Sequence, residues 1–168
     1  MSQELKDEIK SIISGKSKVR YGSTIQAASN HLTRSLSTSC ISQKYKHFKR
    51  EEEKRLRSYI EYNNLWLKNI DFNSYVSEGA EQRVYLFNES YVLKLNDSIY
   101  YESWQDYFTN LLLHNFFFYD TAYELIGFYE NNQRIYAVVR QSIIRITNKT
   151  DLFQVRHFME SNKFEAIR

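Results

Sequence analysis

The chain of 168 residues contains no proline, only four glycines and a single cysteine, Cys40. One cysteine cannot form an internal disulfide and is too few for a structural zinc site, and no histidine has further ligands at metal-ligand spacing. We therefore expect neither a disulfide nor a metal site. With so little glycine and no proline, turns must rely on Asn, Asp and Ser, whose side chains bond to nearby backbone groups.

The sequence also lacks a long hydrophobic run. No segment approaches the roughly 18 consecutive apolar residues of a membrane span, and the charged N-terminus has too short an apolar stretch for a signal peptide. These absences predict a cytoplasmic protein without membrane association. Apolar residues still make up 42% of the chain and aromatic residues 16%. That is enough for the packed core of one ordinary domain, or of a small domain with a helical extension.

Charge is divided unevenly along the chain. Residues 1–60 carry 13 Lys and Arg against 6 Asp and Glu, a balance of +7, whereas the remaining 108 residues carry 10 against 14, a balance of −4. This asymmetry indicates two units with different partners. The segment from Lys44 to Arg57 is the basic candidate for contact with nucleic acid. Its three consecutive Glu residues and its opposite charges at helical spacing favour a solvated helical face instead.

Apolar residues recur at helical spacing in five segments, and Thr150 or Asp151 is a candidate cap for the last of them. Residues 35–43 are rich in Ser and Thr and are typical of a loop. The predicted helices cover residues 3–14, 23–36, 44–64, 100–118 and 151–162.

Short alternating segments predict five strands between the third and the last helix. Asn88-Glu89-Ser90 supplies a tight turn, and residues 130–133 supply another. The order of three strands, a helix and two strands, between helices, predicts an α+β fold with an antiparallel sheet. The predicted strands lie at residues 75–77, 83–86, 92–95, 122–129 and 134–139.

Residues 78–95, EGAEQRVYLFNESYVLKL, point to chemistry more directly than any other part of the sequence. They combine a loop with one glycine, a strand, a turn and a second strand that carries Lys94 between Leu93 and Leu95. A buried lysine needs an anionic partner, and a nucleotide phosphate is a good candidate. The simpler interpretation is a strand lysine that extends along the surface to solvent.

The sequence from about residue 25 to the end resembles the serine/threonine/tyrosine kinase-like family found in polyvalent proteins of bacterial mobile elements and phages. The blocks LLLHN and TAYELIGF are the most specific, since ordinary kinases do not share them. The resemblance implies a protein-kinase-like N-terminal lobe over residues 68–168, with about five antiparallel strands and one main helix, preceded by a helical extension over residues 1–67. The blocks that carry it are IQAASNHL, REEEKRLRSYIEYNNLWL, EGAEQRVY, VLKL, LLLHNFFF, TAYELIGF and AVVRQSII.

The family pattern implies a nucleotide site on this lobe. Lys94 corresponds to the lysine that pairs with phosphate oxygens and with an acid on the following helix, either Glu102 or Asp106. Residues 137–142, with Gln141, correspond to the last strand and the hinge that lies against an adenine ring. The loop and strand over the phosphates correspond to Glu78, Gly79, Glu81 and Val84, although a kinase loop carries more glycines than this one.

The acids of kinase chemistry do not occur among these 168 residues. A kinase needs a catalytic-loop Asp, a metal-binding Asn and a second metal-binding Asp beyond the hinge. Only 26 residues follow Ser142, with Asp151 as their only Asp and no such motif around Asn148 or Asn162. The resemblance therefore implies weak ATP binding at most, no Mg²⁺ held by this chain alone, no catalytic residue and no phosphorylation without a second lobe.

A non-enzymatic interaction module is the alternative function. In this interpretation the sheet and its helix offer a surface to a second lobe, to a protein partner or to a second copy of the chain, and the basic N-terminal part contacts DNA or protein. A large exposed apolar patch around Tyr136, Val138 and Ile143 would favour this alternative.

Overall fold

A computed structural model describes residues 3–34, 45–145, 149–162 and 164. The predicted loop at 35–43, with Cys40, and Asn148 lie outside these residues. The described residues form five α-helices and five strands in the predicted α+β order, and none of these helices is both long and apolar enough to cross a membrane. The elements are α1 (Gln3–Ile13), α2 (Gly22–Arg34), α3 (Tyr45–Tyr62), β1 (Tyr75–Glu78), β2 (Arg83–Leu86), β3 (Tyr91–Asn96), α4 (Trp104–Phe117), β4 (Glu124–Asn131), β5 (Arg134–Ser142) and α5 (Leu152–Ser161).

The five strands form one sheet in the order β1-β2-β3-β5-β4, and every neighbouring pair is antiparallel. The predicted turn before β3 forms as expected, since Asn88 Oδ1 accepts hydrogen bonds from the backbone N–H of Ser90 and Tyr91 at 2.9 and 3.0 Å. The free edge of β4 is covered by the segment after α3. Phe128 N donates to Leu65 O and Leu67 N donates to Phe128 O, both at 2.8 Å. This cover leaves less unpaired backbone along that edge.

The α4 helix begins later than the aromatic pattern predicts. Tyr100 and Tyr101 continue the helical spacing, but Ser103 is extended and its Oγ accepts a hydrogen bond from Asp106 N at 2.9 Å. Ser103 is therefore the N-cap, and the predicted start at residue 100 is wrong by about one turn. The last helix begins as predicted, with Asp151 Oδ1 accepting from Phe153 N at 2.9 Å.

The main core lies between the sheet and the first three helices, with α4 in the middle. Because α4 packs against Phe128 of the sheet on one side and contacts α2 on the other, it is apolar around much of its circumference, and Phe108 and Leu112 are fully buried. The core continues without interruption from α1, α2 and α3 into β4 and β5. Its buried members are Ile12, Ile25, Ala28, Leu32, Leu56, Ile60, Trp104, Tyr107, Phe108, Leu111, Leu112, Leu125, Phe128, Ile135, Ala137 and Val139.

The opposite face of the sheet carries a smaller cluster under residues 67–72. Val138 is fully buried there, against Leu67, Ile70 and Tyr136. Of the three residues whose exposure would favour an interaction module, Val138 is thus buried, and Tyr136 and Ile143 are half-buried. The exposed apolar side chains of the described residues include Leu152 and Phe153 on α5, which are 78% and 76% accessible.

Candidate functional site

Lys94 lies on the face of the sheet that packs against α4. In antiparallel strands, directly paired residues project from the same face. Lys94 pairs with Val84 on β2 and with Val139 on β5. Val139 belongs to the core that includes α4, so the lysine side chain lies on the inner side of the sheet, where it is half-buried.

The Lys94 ammonium group rests against an aromatic ring. Its Nζ lies 5.2 Å from the centroid of the Tyr123 ring and 3.5 Å from the Tyr123 hydroxyl. Among the residues that the structure describes, no carboxylate forms an ion pair with Lys94. A cation–π contact orients a cation without neutralising it. The positive charge of Lys94 is therefore held in place and remains able to attract an anion.

The sheet beside Lys94 is apolar and incompletely covered. Val92 lies two residues before Lys94 on the same face and pairs with Leu86. Val84 and Val92 are half-buried and Leu86 is 46% exposed, whereas Val139, nearer to α4, is fully buried. Helix α4 thus covers the β4–β5 side of this face and leaves the β2–β3 side partly open. A cation next to a partly open apolar wall is a feature of many ligand sites.

The loop between β1 and β2 is fixed by polar contacts. Glu78 forms an ion pair with Arg83 at 2.9 Å, and Gly79 N donates to Gln82 O at 3.0 Å. The fold itself does not require glycine at position 79, since an added Cβ would meet no atom within 4 Å. The space on the Cα side of Gly79 is therefore open, while its N–H is bonded within the loop.

Glu81 connects this loop to the segment before α4. The Tyr101 hydroxyl donates to Glu81 Oε2 at 3.0 Å, and burial, followed by this carboxylate, raises the pKa of Tyr101 to about 12. Tyr107, which stacks edge-on against Tyr101 at 5.2 Å, is fully buried and its pKa is also raised by burial. Both phenols stay protonated at neutral pH, so Tyr101 acts as a hydrogen-bond donor.

The two candidate acids for Lys94, Glu102 and Asp106, lie in different parts of the chain around the start of α4. Glu102 is exposed in the loop before α4. Asp106 is in the first turn of α4, where its Oδ1 accepts from Asn110 Nδ2 at 3.3 Å. Neither forms an ion pair with Lys94, and Tyr123 occupies the position beside the ammonium group. Nothing in the residues TAYEL predicts that Tyr123 contacts the ammonium group of Lys94.

Gln141, the predicted hinge residue, is buried on β5. Its Nε2 donates to Thr121 O at 2.6 Å. The same carbonyl lies 3.1 Å from His114 Nε2. The His114 ring also packs against the Tyr123 ring at a tilt, with centroids 4.4 Å apart, and burial lowers the pKa of His114. Gln141 and His114 thus hold the turn before β4 that places Tyr123 under Lys94.

The chemistry available at this site is anion binding. Of the predicted residues, the fold brings Val84 and Lys94 together on one face, with Glu78 at the end of β1 and Gly79 in the adjoining loop. Glu102 and Asp106 form no ion pair with Lys94. In the described part of the chain, no three His, Cys, Asp or Glu side chains are grouped so that they could hold a metal ion.

Comparison with known protein families gives one match. The model of the serine/threonine/tyrosine kinases found in polyvalent proteins matches residues 49–168, which is more than two thirds of the chain. Comparisons with curated proteins and with solved structures gave no significant match. The family match begins within α3 and includes the whole sheet, α4 and Lys94, in agreement with the resemblance seen in the sequence. The chain therefore belongs to the family of serine/threonine/tyrosine kinases found in polyvalent proteins, and residues 49–168 are a kinase-like domain.

Proposed function

We propose that this kinase-like domain binds ATP on the inner face of its sheet, with Lys94 as the cation for the phosphates. The observation that carries the proposal is the half-buried ammonium group of Lys94, which has an aromatic neighbour and no ion-pair partner among the described residues. A cation in such a position is stabilised by a bound anion. The triphosphate of a nucleotide supplies that anion in kinases.

The apolar wall beside Lys94 supports the choice of a nucleotide over a simple anion. Val84, Leu86 and Val92 share the inner face with the lysine and are not fully covered. A flat heterocyclic base buries apolar surface against such side chains while its phosphates reach the cation. Gly79 and the loop around it would lie over the phosphates.

Phosphoryl transfer needs carboxylates that hold Mg²⁺ and accept the proton of an acceptor hydroxyl. Among the described residues no carboxylate forms an ion pair with Lys94, and the 168 residues contain no catalytic-loop motif. We therefore propose nucleotide binding by this chain, with phosphorylation only if another lobe supplies those acids.

Thermal unfolding with and without MgATP tests the proposal. Binding at one site raises the free energy of unfolding by RT ln(1 + [L]/Kd), about 2.7 kcal/mol when ATP is at 100 times its Kd. The variant Lys94→Met keeps the length of the side chain and removes the charge, so it should lose this gain. The matched control is Lys68→Met, at an exposed lysine, which should keep it.

Two results would contradict the proposal. Either the Lys94→Met variant shows the same gain with ATP as the natural chain, or the natural chain shows none at any ATP concentration up to several millimolar. Because both variants are compared with and without ligand, a change in their intrinsic stability does not affect the conclusion.

A further inference from the structure

The connection between α1 and α2, residues 14–21, concentrates positive charge on the surface. Lys16, Lys18 and Arg20 occur within eight residues that include no acid. Lys16 and Lys18 are exposed, and among the described residues no carboxylate forms an ion pair with either of them. We call residues 14–21 the basic loop.

Three cations of α3, which belongs to the basic segment considered for nucleic acid, are engaged within the protein. Lys54 pairs with Glu51 at 2.7 Å, and Arg57 pairs with Glu130 through two bonds of 2.9 Å. Lys49 Nζ donates to the carbonyl of Tyr101 at 2.7 Å. Lys16 and Lys18 of the basic loop have no ion pair among the described residues and can contact an external polyanion.

Two exposed aromatic rings flank the arginine of the basic loop. The Arg20 guanidinium lies 4.9 Å from the centroid of Tyr21 and 4.5 Å from that of Tyr119. It also donates to the Tyr119 carbonyl at 3.2 Å, so the turn after α4 is attached to the loop. Tyr21 and Tyr119 are 40% and 60% exposed. The negative charge of Asp120, the residue after Tyr119, also acts on Arg20.

Two buried amide side chains hold the basic loop in one conformation. Gln26 Nε2 donates to Ile12 O at 2.8 Å and to Ser17 O at 2.9 Å. Asn115 of α4, fully buried, donates to Arg20 O at 2.9 Å. The loop is therefore ordered before any partner arrives, which lowers the entropic cost of binding.

Regularly placed cations beside exposed aromatic rings fit single-stranded nucleic acid. Phosphates of the strand interact with Lys and Arg, and unpaired bases stack on aromatic rings regardless of sequence. In a duplex the bases are already stacked on each other and cannot reach Tyr119. We propose that the basic loop and Tyr119 form a binding surface for single-stranded nucleic acid, separate from the site around Lys94.

Fluorescence anisotropy of a labelled 15-nucleotide DNA strand, titrated with the 168-residue chain at several salt concentrations, tests this proposal. The variant Lys16→Ala/Lys18→Ala removes two phosphate contacts, so the slope of log K against log salt should fall in magnitude by about 1.4. Tyr119→Ala should weaken binding by about 5-fold or more through lost stacking, with the salt slope unchanged. An RNA strand and a DNA duplex of equal length are measured in parallel.

The matched control removes the same number of charges elsewhere. Lys54→Ala/Lys68→Ala, at two exposed lysines outside the basic loop, should change affinity by less than 2-fold once salt is held constant. The proposal is overturned if this control weakens binding as much as the loop variant. It is also overturned if the duplex binds as tightly as the single strand, or if no binding occurs at low salt. Lys94→Met should leave strand binding unchanged, which separates this surface from the nucleotide site.

Discussion

Glu52 is a buried carboxylate that serves as a cap for another helix. It is only 2% exposed, and its two oxygens accept hydrogen bonds from Trp104 N at 2.9 Å and Gln105 N at 3.1 Å. These N–H groups are among those that a helix leaves unsatisfied at its start, where the helix dipole also favours negative charge. Glu52 therefore connects α3 to the first turn of α4.

The pKa of Glu52 gives this contact a pH dependence. Burial raises the pKa above its usual 4.5, while the bonds from Trp104 and Gln105 oppose the shift. A carboxyl whose folded pKa is raised contributes stability that is complete below about 4.5 and is lost as the pH rises through the folded pKa.

We predict that Glu52→Gln lowers the free energy of unfolding by about 1–2 kcal/mol at pH 7, because the amide group cannot accept the second N–H. Since the glutamine does not titrate, the difference between the two proteins should widen as the pH falls from 7 towards 4.5. Urea denaturation at a series of pH values measures this difference in the free energy of unfolding. Glu53→Gln, at the exposed neighbour, should show neither effect, and a difference that narrows at low pH would contradict the assignment.

The sequence could not predict the roles of single buried polar residues. The charge pattern around Glu52 favours a solvated face, since opposite charges at helical spacing indicate a helix but not which side of it meets another element. Asn115 is a second case. It is fully buried, it accepts from Tyr123 N and it donates to Tyr123 O, both at 2.7 Å. Both roles depend on partners that are distant in sequence.

At the scale of elements, local chemistry predicted turns and caps well. Asn88 and Asp151 bond to backbone groups two or three residues away, which is why their roles can be read from the sequence. The start of α4 was missed because aromatic residues continue the helical spacing before Ser103. The signal that would have found it is Ser103 followed by Asp106 three residues later, an arrangement related to a capping box.

A second feature at the scale of elements is the bulge in β4 at Gly127. Gly127 has a φ of +157°, and a Cβ there would lie 2.7 Å from Leu65 O. The close approach lets residues 65–67 pair with Phe128 and cover the sheet edge. Glycine at this position is required by the backbone of the neighbouring segment, a contact that a strand pattern does not indicate.

The β4–β5 hairpin carries local strain that can be relieved. Asn132 and Gln133 have φ values of +49° and +64°, the conformation of a two-residue turn that favours Asn followed by Gly. Gln133→Gly should therefore raise the free energy of unfolding by about 0.5–1 kcal/mol, or the Tm by about 1–4 °C. Gln133→Ala keeps the Cβ and should give no such gain. Equal melting temperatures for the natural and glycine chains would contradict the argument.

At the scale of the whole molecule, the sequence predicted the order of the elements but not how the first helices join the rest. A boundary near residue 67 stays a prediction, and the family match starts earlier, at Lys49. In the structure, buried residues of α2 such as Ile25 and Leu32 belong to the same core as Phe108 and Phe128. Helical periodicity indicates that a face is apolar, but the identity of its partner is a tertiary property.

This shared core leads to a prediction about cooperativity. Ile25→Ala, at a fully buried position, should lower the free energy of unfolding by about 2–5 kcal/mol. If the helices and the kinase-like domain unfold together, Trp104 fluorescence, recorded in a Trp66→Phe background, should shift to the same lower midpoint as the far-ultraviolet circular dichroism.

Ile144→Ala removes the same atoms at a 60% exposed position and should change the free energy of unfolding, measured by either probe, by no more than about 0.5 kcal/mol. A Trp104 transition that stays in place while the helical signal moves would show that the first helices unfold independently. A common shift would show that α4, the sheet and the helices before them unfold as one unit.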